Sequence, residues 1–475
     1  MTGRRFYGWR IVAVLAVTET VSWGVLYYAF AVVQVPMRAE LGLSAATVAG
    51  AFSVAVLTAG LAAVPAGRWL DRHGARGLMT AGSAGAVVLV VAWSRVDSAV
   101  GLYVVFAGIG LVSAAVLYDP AFAVVVRWFG EGRSRALLAV TVVAGFASTV
   151  FLPLTDALIQ GLGWRDALLV LAGILAVTTV VPHAVVLRRD PADLGLHPDG
   201  AQSGPSPDPA AARAGLGATA VLVLRDPLFR RLTLGFAANA LVVVVVAVHL
   251  VAYMLEAGHP SAFAATAAGA LGALSVTGRL VVTRAARHRP IAALTATAFG
   301  VQAVAVVVLL GAGSSTVGAV VFVVLFGLGF GVGTIARPAL VAEGYGTGSF
   351  ATVSALCGVA LTAARTVGPF AAGLLRTWSG SYTPVLLVLA ATSVVAAVAV
   401  ARAGALLTGS PGGGDGHGRL LRHRDDRLQR RVLLRPTSRP ATAATRSPVG
   451  SRPAGLGLTR PRQPVSALPD ADRRD

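Results

Sequence analysis

The longest uncharged stretch in this chain, residues 290–336, runs 47 positions without an Asp, Glu, Lys or Arg. A second, 41–67, is equally free of charge. Eighteen or more consecutive apolar residues read as a membrane-crossing helix, because about 20 residues at 1.5 Å each span the hydrocarbon core. Backbone polar groups find no water in that core, so a crossing segment bonds internally as a helix or a closed barrel. A stretch of 47 has room for two helices. Only 13% of the 475 residues are charged and 55% are hydrophobic, against about a quarter charged in soluble domains.

Twelve such segments are expected, at roughly 10–33, 43–66, 77–95, 99–126, 136–156, 166–187, 232–255, 260–283, 290–311, 316–338, 349–374 and 382–403. The first is too long for a signal-peptide core and is expected to be retained. The expectation is an all-α membrane protein with 12 transmembrane helices in two pseudo-symmetric six-helix bundles. The bundles fall at 1–187 and 231–404, with a Pro-, Asp-, Ala- and Gly-rich linker at 188–230 between them. Residues 405–475, rich in Arg, Pro, Gly and Ser, read as a disordered basic tail.

The net charge of +19 comes entirely from arginine, since the chain has no lysine. That excludes a P-loop ATPase, which needs the Walker A lysine, and a Schiff-base pump. The single cysteine, Cys357, allows no internal disulfide and no Cys-rich metal site. No cofactor is expected, nor an enzyme, because no metal-ligand cluster or nucleophile–base set stands out. Nucleic acid is not the expected partner, because the arginines fall between spans. With the N-terminus inside, thirteen lie in short inside segments: Arg4, Arg5, Arg10, Arg68, Arg72, Arg76, Arg127, Arg133, Arg135, Arg279, Arg284, Arg287 and Arg289. Four lie outside: Arg38, Arg95, Arg165 and Arg376. The positive-inside rule then places the chain in the inner (plasma) membrane with both termini cytoplasmic.

The halves show signs of duplication. Leu169–Ala172 (LVLA) recurs at Leu387–Ala390, 218 positions on, and at the same shift Asp119-Pro120 meets Arg337-Pro338. Gly67-Arg68 recurs as Gly278-Arg279. Two parallel repeats with a substrate between them near the midplane is a known transporter plan.

Between the second and third spans lies Gly67-Arg68-Trp69-Leu70-Asp71-Arg72-His73-Gly74-Ala75-Arg76. It resembles the G-x-L-x-D-R-x-G-R-R signature of the major facilitator superfamily, with Gly67, Asp71, Arg72, Gly74 and Arg76 matching. Trp69 takes the place of the usual leucine and Ala75 that of a basic residue. The glycines are expected in a tight turn. The resemblance implies that Asp71 helps latch the halves in the outward-facing state, against the eleventh helix. The second-half copy, Gly278 to Arg289, keeps the arginines without the aspartate. Phe6-Tyr7-Gly8-Trp9-Arg10, Gly24 to Phe30 and Ala51-Phe52-Ser53 look like the monocarboxylate and oxalate/formate branch. The drug–proton antiporter pattern is not met, since its fourth-helix arginine would fall at Val104 or Val105.

Charge inside a span costs about 2.5–3.5 kcal/mol on insertion scales, so it faces a cavity or a partner. The candidates are Glu19, Asp119, His249, Arg337 and Arg365. Arg365, flanked by Ala364, Thr366 and Gly368, is the expected anion-binding residue, since guanidinium holds carboxylate through two parallel hydrogen bonds. A structural pair with a carboxylate is the alternative. Asp119 and Arg337 form a candidate inter-half salt bridge, a static structural pair, or two separate solvated charges. Glu19, with Asp119, is the candidate proton carrier. Tyr27, Tyr28, Asn239 and Gln302 are candidates to line the path or to pack helices. The expected function is secondary active transport of a small organic anion, a mono- or dicarboxylate, by alternating access with proton symport or anion exchange. Export of hydrophobic or cationic compounds, and a sensor or scaffold acting through the tail, are the competing readings. The bilayer and the substrate are the expected partners; the oligomeric state is open, and a monomer suffices.

Overall fold

The computed structural model describes residues 6–200 and 223–408, apart from the side chains of Asp71, Ser134 and residues 346–352. Among the described residues, eleven helical stretches are long and apolar enough to cross a bilayer. One of them, Arg135–Val186, has 52 residues. As a single helix it would run about 78 Å, more than twice the ~30 Å hydrocarbon core. It turns at Gly163, where φ is +81° and ψ 162°. The Tyr7 hydroxyl donates to Val186 O at 3.0 Å, and the ring of Phe6 lies against Phe129, just before the first half of the stretch. Both ends of the 52 residues therefore lie on one face and Gly163 on the other, which makes two spans and twelve in all.

We number them α1 (Gly8–Leu41), α2 (Ala45–His73), α3 (Ala75–Trp93), α4 (Ala99–Trp128), α5 (133–162), α6 (164–186), α7 (Pro227–Glu256), α8 (Ser261–Ala285), α9 (Ile291–Ala312), α10 (Thr316–Tyr345), α11 (Val353–Ser379) and α12 (Thr383–Thr408). The last part of α10 and all of α11 belong to one helical run, Val332–Ser379. Gly333 lies beside Asn239, Gly344 beside Leu228 and Gly368 beside Val245, while Arg376 pairs with Glu256 at 2.8 Å. The chain thus runs down α7 and back up, reversing between 345 and 353.

The same local chemistry recurs in both halves. Ser98 caps α4 by accepting from Gly101 N–H, and Ser315, 217 positions on, caps α10 by accepting from Gly318 N–H. Gly42 and Gly258 carry positive φ just past α1 and α7, 216 apart, and Gly163 and Gly380 do so past α5 and α11, 217 apart. Each half ties the turn between its fifth and sixth helices to the end of its first helix. Arg165 bonds Glu40 at 2.9 Å and lies 4.3 Å over the Trp164 ring; Arg376 bonds Glu256 at 2.8 Å and lies 5.4 Å over the Tyr382 ring.

One expectation is corrected here. The run 67–76 is not a loop, because α2 continues to His73 and α3 begins at Ala75. Only Gly74, with φ +79°, makes the turn. Gly67 is helical, with open space where a Cβ would stand. The expected linker, 188–230, begins with a docked stretch. Residues 187–200 dock on the first half, with Trp128 Nε1 donating to Arg188 O at 3.4 Å. Asp199 accepts from the N–H groups of Gly130 and Glu131 at 2.8 and 2.7 Å. Residues 201–222 lie outside the described residues, as does the tail beyond Thr408; α7 starts at Pro227, capped by Asp226.

Gly67→Ala should raise stability by about 0.5–1 kcal/mol, the usual helix-interior gain. Gly278→Ala should lower it by about 1–3 kcal/mol, since its Cβ would fall 1.8 Å from Leu328 O. Melting of the two purified variants in detergent checks both signs.

Candidate functional site

Three seams join the halves. Along α2 and α11, Thr377 Oγ1 accepts from Ala46 N–H at 3.2 Å and Ser53 Oγ from Phe370 N–H at 3.1 Å. Between α1 and α7, Gln34 donates its amide to Val248 O. Between α5 and α8, Thr149 Oγ1 donates to Gly269 O at 2.8 Å and accepts from Ala273 N–H at 3.1 Å. Gly272 allows this approach, since a Cβ there would stand 2.3 Å from Ser148 Oγ. These contacts lie towards the face of the Gly42 and Gly258 turns and reach as far as Gly60–Thr362 and Gly145–Val276. Asp119 and Arg365 are exposed although each stands within a membrane helix. Arg365 lies within Coulombic range of Tyr27, Arg337 and Asp119. Partners on both halves place it in the space between them.

The first-half wall comes from α1 and α4. A π-turn at Gly24–Tyr28 interrupts α1, a form common at functional sites. Gly24 lets α5 close in, as a Cβ would sit 2.2 Å from the Phe151 ring. Around the turn, Trp23 meets Tyr27 at 5.2 Å and Tyr118 at 5.1 Å, and Tyr27 meets Tyr28 at 5.1 Å, centroid to centroid. α4 breaks at Leu117 and restarts at Tyr118, so Asp119 stands in a first turn, where the helix dipole favours an anion. Glu19 is fully buried, and neither carboxyl oxygen has a hydrogen-bond partner. The Trp23 indole N–H, one turn on, faces it without bonding.

The second-half wall is cationic. Arg279 was expected in an inside loop; it stands within α8 and lies in Coulombic range of Tyr28 and Tyr118 across the seam. Its Nη2 donates to Ser275 Oγ at 2.8 Å, and its buried Nε is unpartnered. Gly331, at the interruption of α10, clears its path: a Cβ there would stand 2.4 Å from that Nε. Arg337 is half-buried near Cys357 and Arg365. Among the described residues, no carboxylate comes within 4.0 Å of Arg279, Arg337 or Arg365. Asp119 and Arg337 share this space without forming an ion pair. The sequence signal for Arg279 was present in the Gly278-Arg279 repeat, but reading it as a loop arginine hid its inward position.

Other candidates lie elsewhere. Asn239 is buried and donates to Gln302 Oε1 at 2.8 Å, joining α7 to α9. His249 ties α7 to α11 and α12 through Pro369 O at 3.0 Å and the Tyr382 hydroxyl at 3.2 Å. A carbonyl only accepts, so in the neutral ring Nε2 carries the proton and Nδ1 accepts from Tyr382. Arg76 donates to Ala184 O at 2.6 Å, holding α3 to α6; Arg72 is exposed. The backbone at Asp71 lies in the last turn of α2, and its side chain is outside the described residues.

Residues 12–369 match the Major Facilitator Superfamily. The fold is similar to a crystal structure of a bacterial homolog to the human lysosomal transporter Spinster, inward-facing and unoccupied. That likeness has a TM-score of 0.67 and 15% identity over 86% of this chain and 100% of that one. The same homolog, inward-facing and occupied, gives 0.60 and 14% over 85% and 96%. Comparison with curated proteins gives no match. The chain belongs to the major facilitator superfamily: it is a multi-pass membrane transporter and not an enzyme.

The single native cysteine is buried, which leaves a quiet background for thiol labelling. Arg365→Cys should react readily with a charged, water-soluble maleimide in detergent, and Asn239→Cys should stay at background. Mass spectrometry of the labelled proteins reads both.

Proposed function

We propose that the protein carries a small organic anion across the membrane by alternating access, with Arg365 as the residue that grips it. Three arginines without carboxylate partners border the space between the halves, and this observation carries the reading. Arg279 and Arg337 are half-buried, where a cation without a partner is costly, and an anionic substrate beside them and the exposed Arg365 satisfies the site on entry. Guanidinium and carboxylate match through paired hydrogen bonds. A mono- or dicarboxylate fits this chemistry, with Tyr27 and Tyr28 opposite Arg365 and Arg279. The seams close towards the arginine-poor turns. With the arginine-rich face cytoplasmic, as the positive-inside rule favours, the arrangement is inward-facing and both termini are cytoplasmic.

The two bundles, 1–187 and 231–404, rock about the three seams, with residues 187–200 moving as part of the first. In the outward-facing state Asp71 meets α11, with Arg72, Gly74 and Arg76 shaping the turn beside it. Glu19 is the proposed proton carrier, because a buried carboxyl without a partner needs a proton or a cation. Asp119 lies in its Coulombic range and would pass that proton to the open face. Anion exchange is the other source of drive.

Arg365→Ala should cut carboxylate uptake into proteoliposomes more than about thirtyfold, the loss of one charged pair of ~2 kcal/mol or more. Arg365→Lys, which keeps the charge but not the fork, should fall between. Unchanged uptake by the alanine variant, with an unchanged melting temperature, would remove Arg365 from the site.

A further inference from the structure

The two walls differ in more than charge. The second half presents guanidinium groups; the first presents aromatic rings with two carboxyl groups among them. Trp23, Tyr27 and Tyr118 form a continuous ring cluster with centroids 5.1 and 5.2 Å apart. Glu19 lies beneath Trp23, fully buried with both oxygens unpartnered, and Asp119 is within its Coulombic range. Faces of Trp and Tyr attract cations, and aromatic cages are a recurrent way to hold ammonium groups. A carboxylate behind the rings adds a full countercharge. A purely anionic substrate would leave this wall unused and would meet the repulsion of Asp119.

We infer that the substrate is an aromatic zwitterion, its anionic end on Arg365 and its ammonium end on the Trp23–Tyr27–Tyr118 rings backed by Glu19 and Asp119. This rests on the anion-carrier reading for the Arg365 end alone. The ammonium fills the place that a proton would otherwise take at Glu19, so loaded and empty carriers each keep that carboxyl satisfied. The rings also supply the apolar surface for a planar body between the two charged ends.

Three compounds that share a phenylethyl unit separate the charges: phenylalanine, 3-phenylpropanoate without the amine, and 2-phenylethylamine without the carboxylate. A ligand that binds the native state raises its melting temperature. In the purified full chain phenylalanine should bind at least about tenfold more tightly than either analogue, about 1.4 kcal/mol. Asp119→Asn, at an exposed position, should erase that preference from both sides, weakening phenylalanine and tightening 3-phenylpropanoate, whose carboxylate no longer meets the Asp119 charge. Glu19→Gln should act in the same direction. Arg365→Ala should lose both acids. Equal binding of phenylalanine and 3-phenylpropanoate, with Asp119→Asn silent, overturns the zwitterion and leaves the anion carrier standing. No binding by any of the three also overturns it, whereas binding of 2-phenylethylamine alone overturns both readings.

Discussion

Everything this molecule does depends on how its halves adhere without being fixed together. In lipid there is no hydrophobic gain from pressing two helices together, so contact rests on close backbone approach and interhelical hydrogen bonds. The seams are built in that way. Gly269 and Gly272 bring α8 against Ser148 and Thr149 of α5, and Gly373 brings α11 against Ala45 and Ala49 of α2. A few hydrogen bonds at Ser53, Thr377, Thr149 and Gln34 pin the register. The ion pairs that brace the arginine-poor face, Arg165–Glu40 and Arg376–Glu256, each stay within one half. Bonds worth about 1 kcal/mol each can be exchanged between two states; a buried charge pair across the seam would cost several.

The charges removed from the seams are concentrated in the space between the halves. Arg279, Arg337 and Arg365 stand on one side, Glu19 and Asp119 on the other, without contact ion pairs. On the proposed reading, a ligand that enters supplies the partners these groups lack, which gives it differential affinity for conformations that close around it. Local backbone breaks deliver these groups: the π-turn in α1, the restart of α4 at Tyr118 and the interruption of α10 at Gly331. Each departs from the regular helix within the middle of the protein, where a straight helix would have kept its polar side chains on fixed registers.

The twelve spans were legible because hydropathy and length are additive properties of a segment and need no tertiary information. The repeat was legible only faintly from Leu169–Ala172 and Leu387–Ala390. The caps Ser98 and Ser315 with Gly101 and Gly318 carry it better, since each serine sits where a helix must start. The site was read in part. Arg365 stood out as a charge deep in an apolar run, whereas Arg279 lies only about two turns from the end of α8 and was counted with the loop arginines. Nothing in Gly24–Tyr28 announces a π-turn, because that form comes from packing against Phe151. Gly67 was misread because a helix that outlasts the apolar stretch looks like a loop to hydropathy.

If the halves rock as proposed, the seam between α2 and α11 opens in each transport cycle. A Cβ at Gly373 would stand 3.0 Å from that of Ala49, so the helices need part only by a few tenths of an ångström to reach the ~3.5–4.5 Å of a disulfide. In a Cys357→Ser background, Ala49→Cys combined with Gly373→Cys should cross-link on mild oxidation, stop uptake in proteoliposomes, and regain it on reduction. A fully cross-linked protein that transports at the uncross-linked rate would contradict the account.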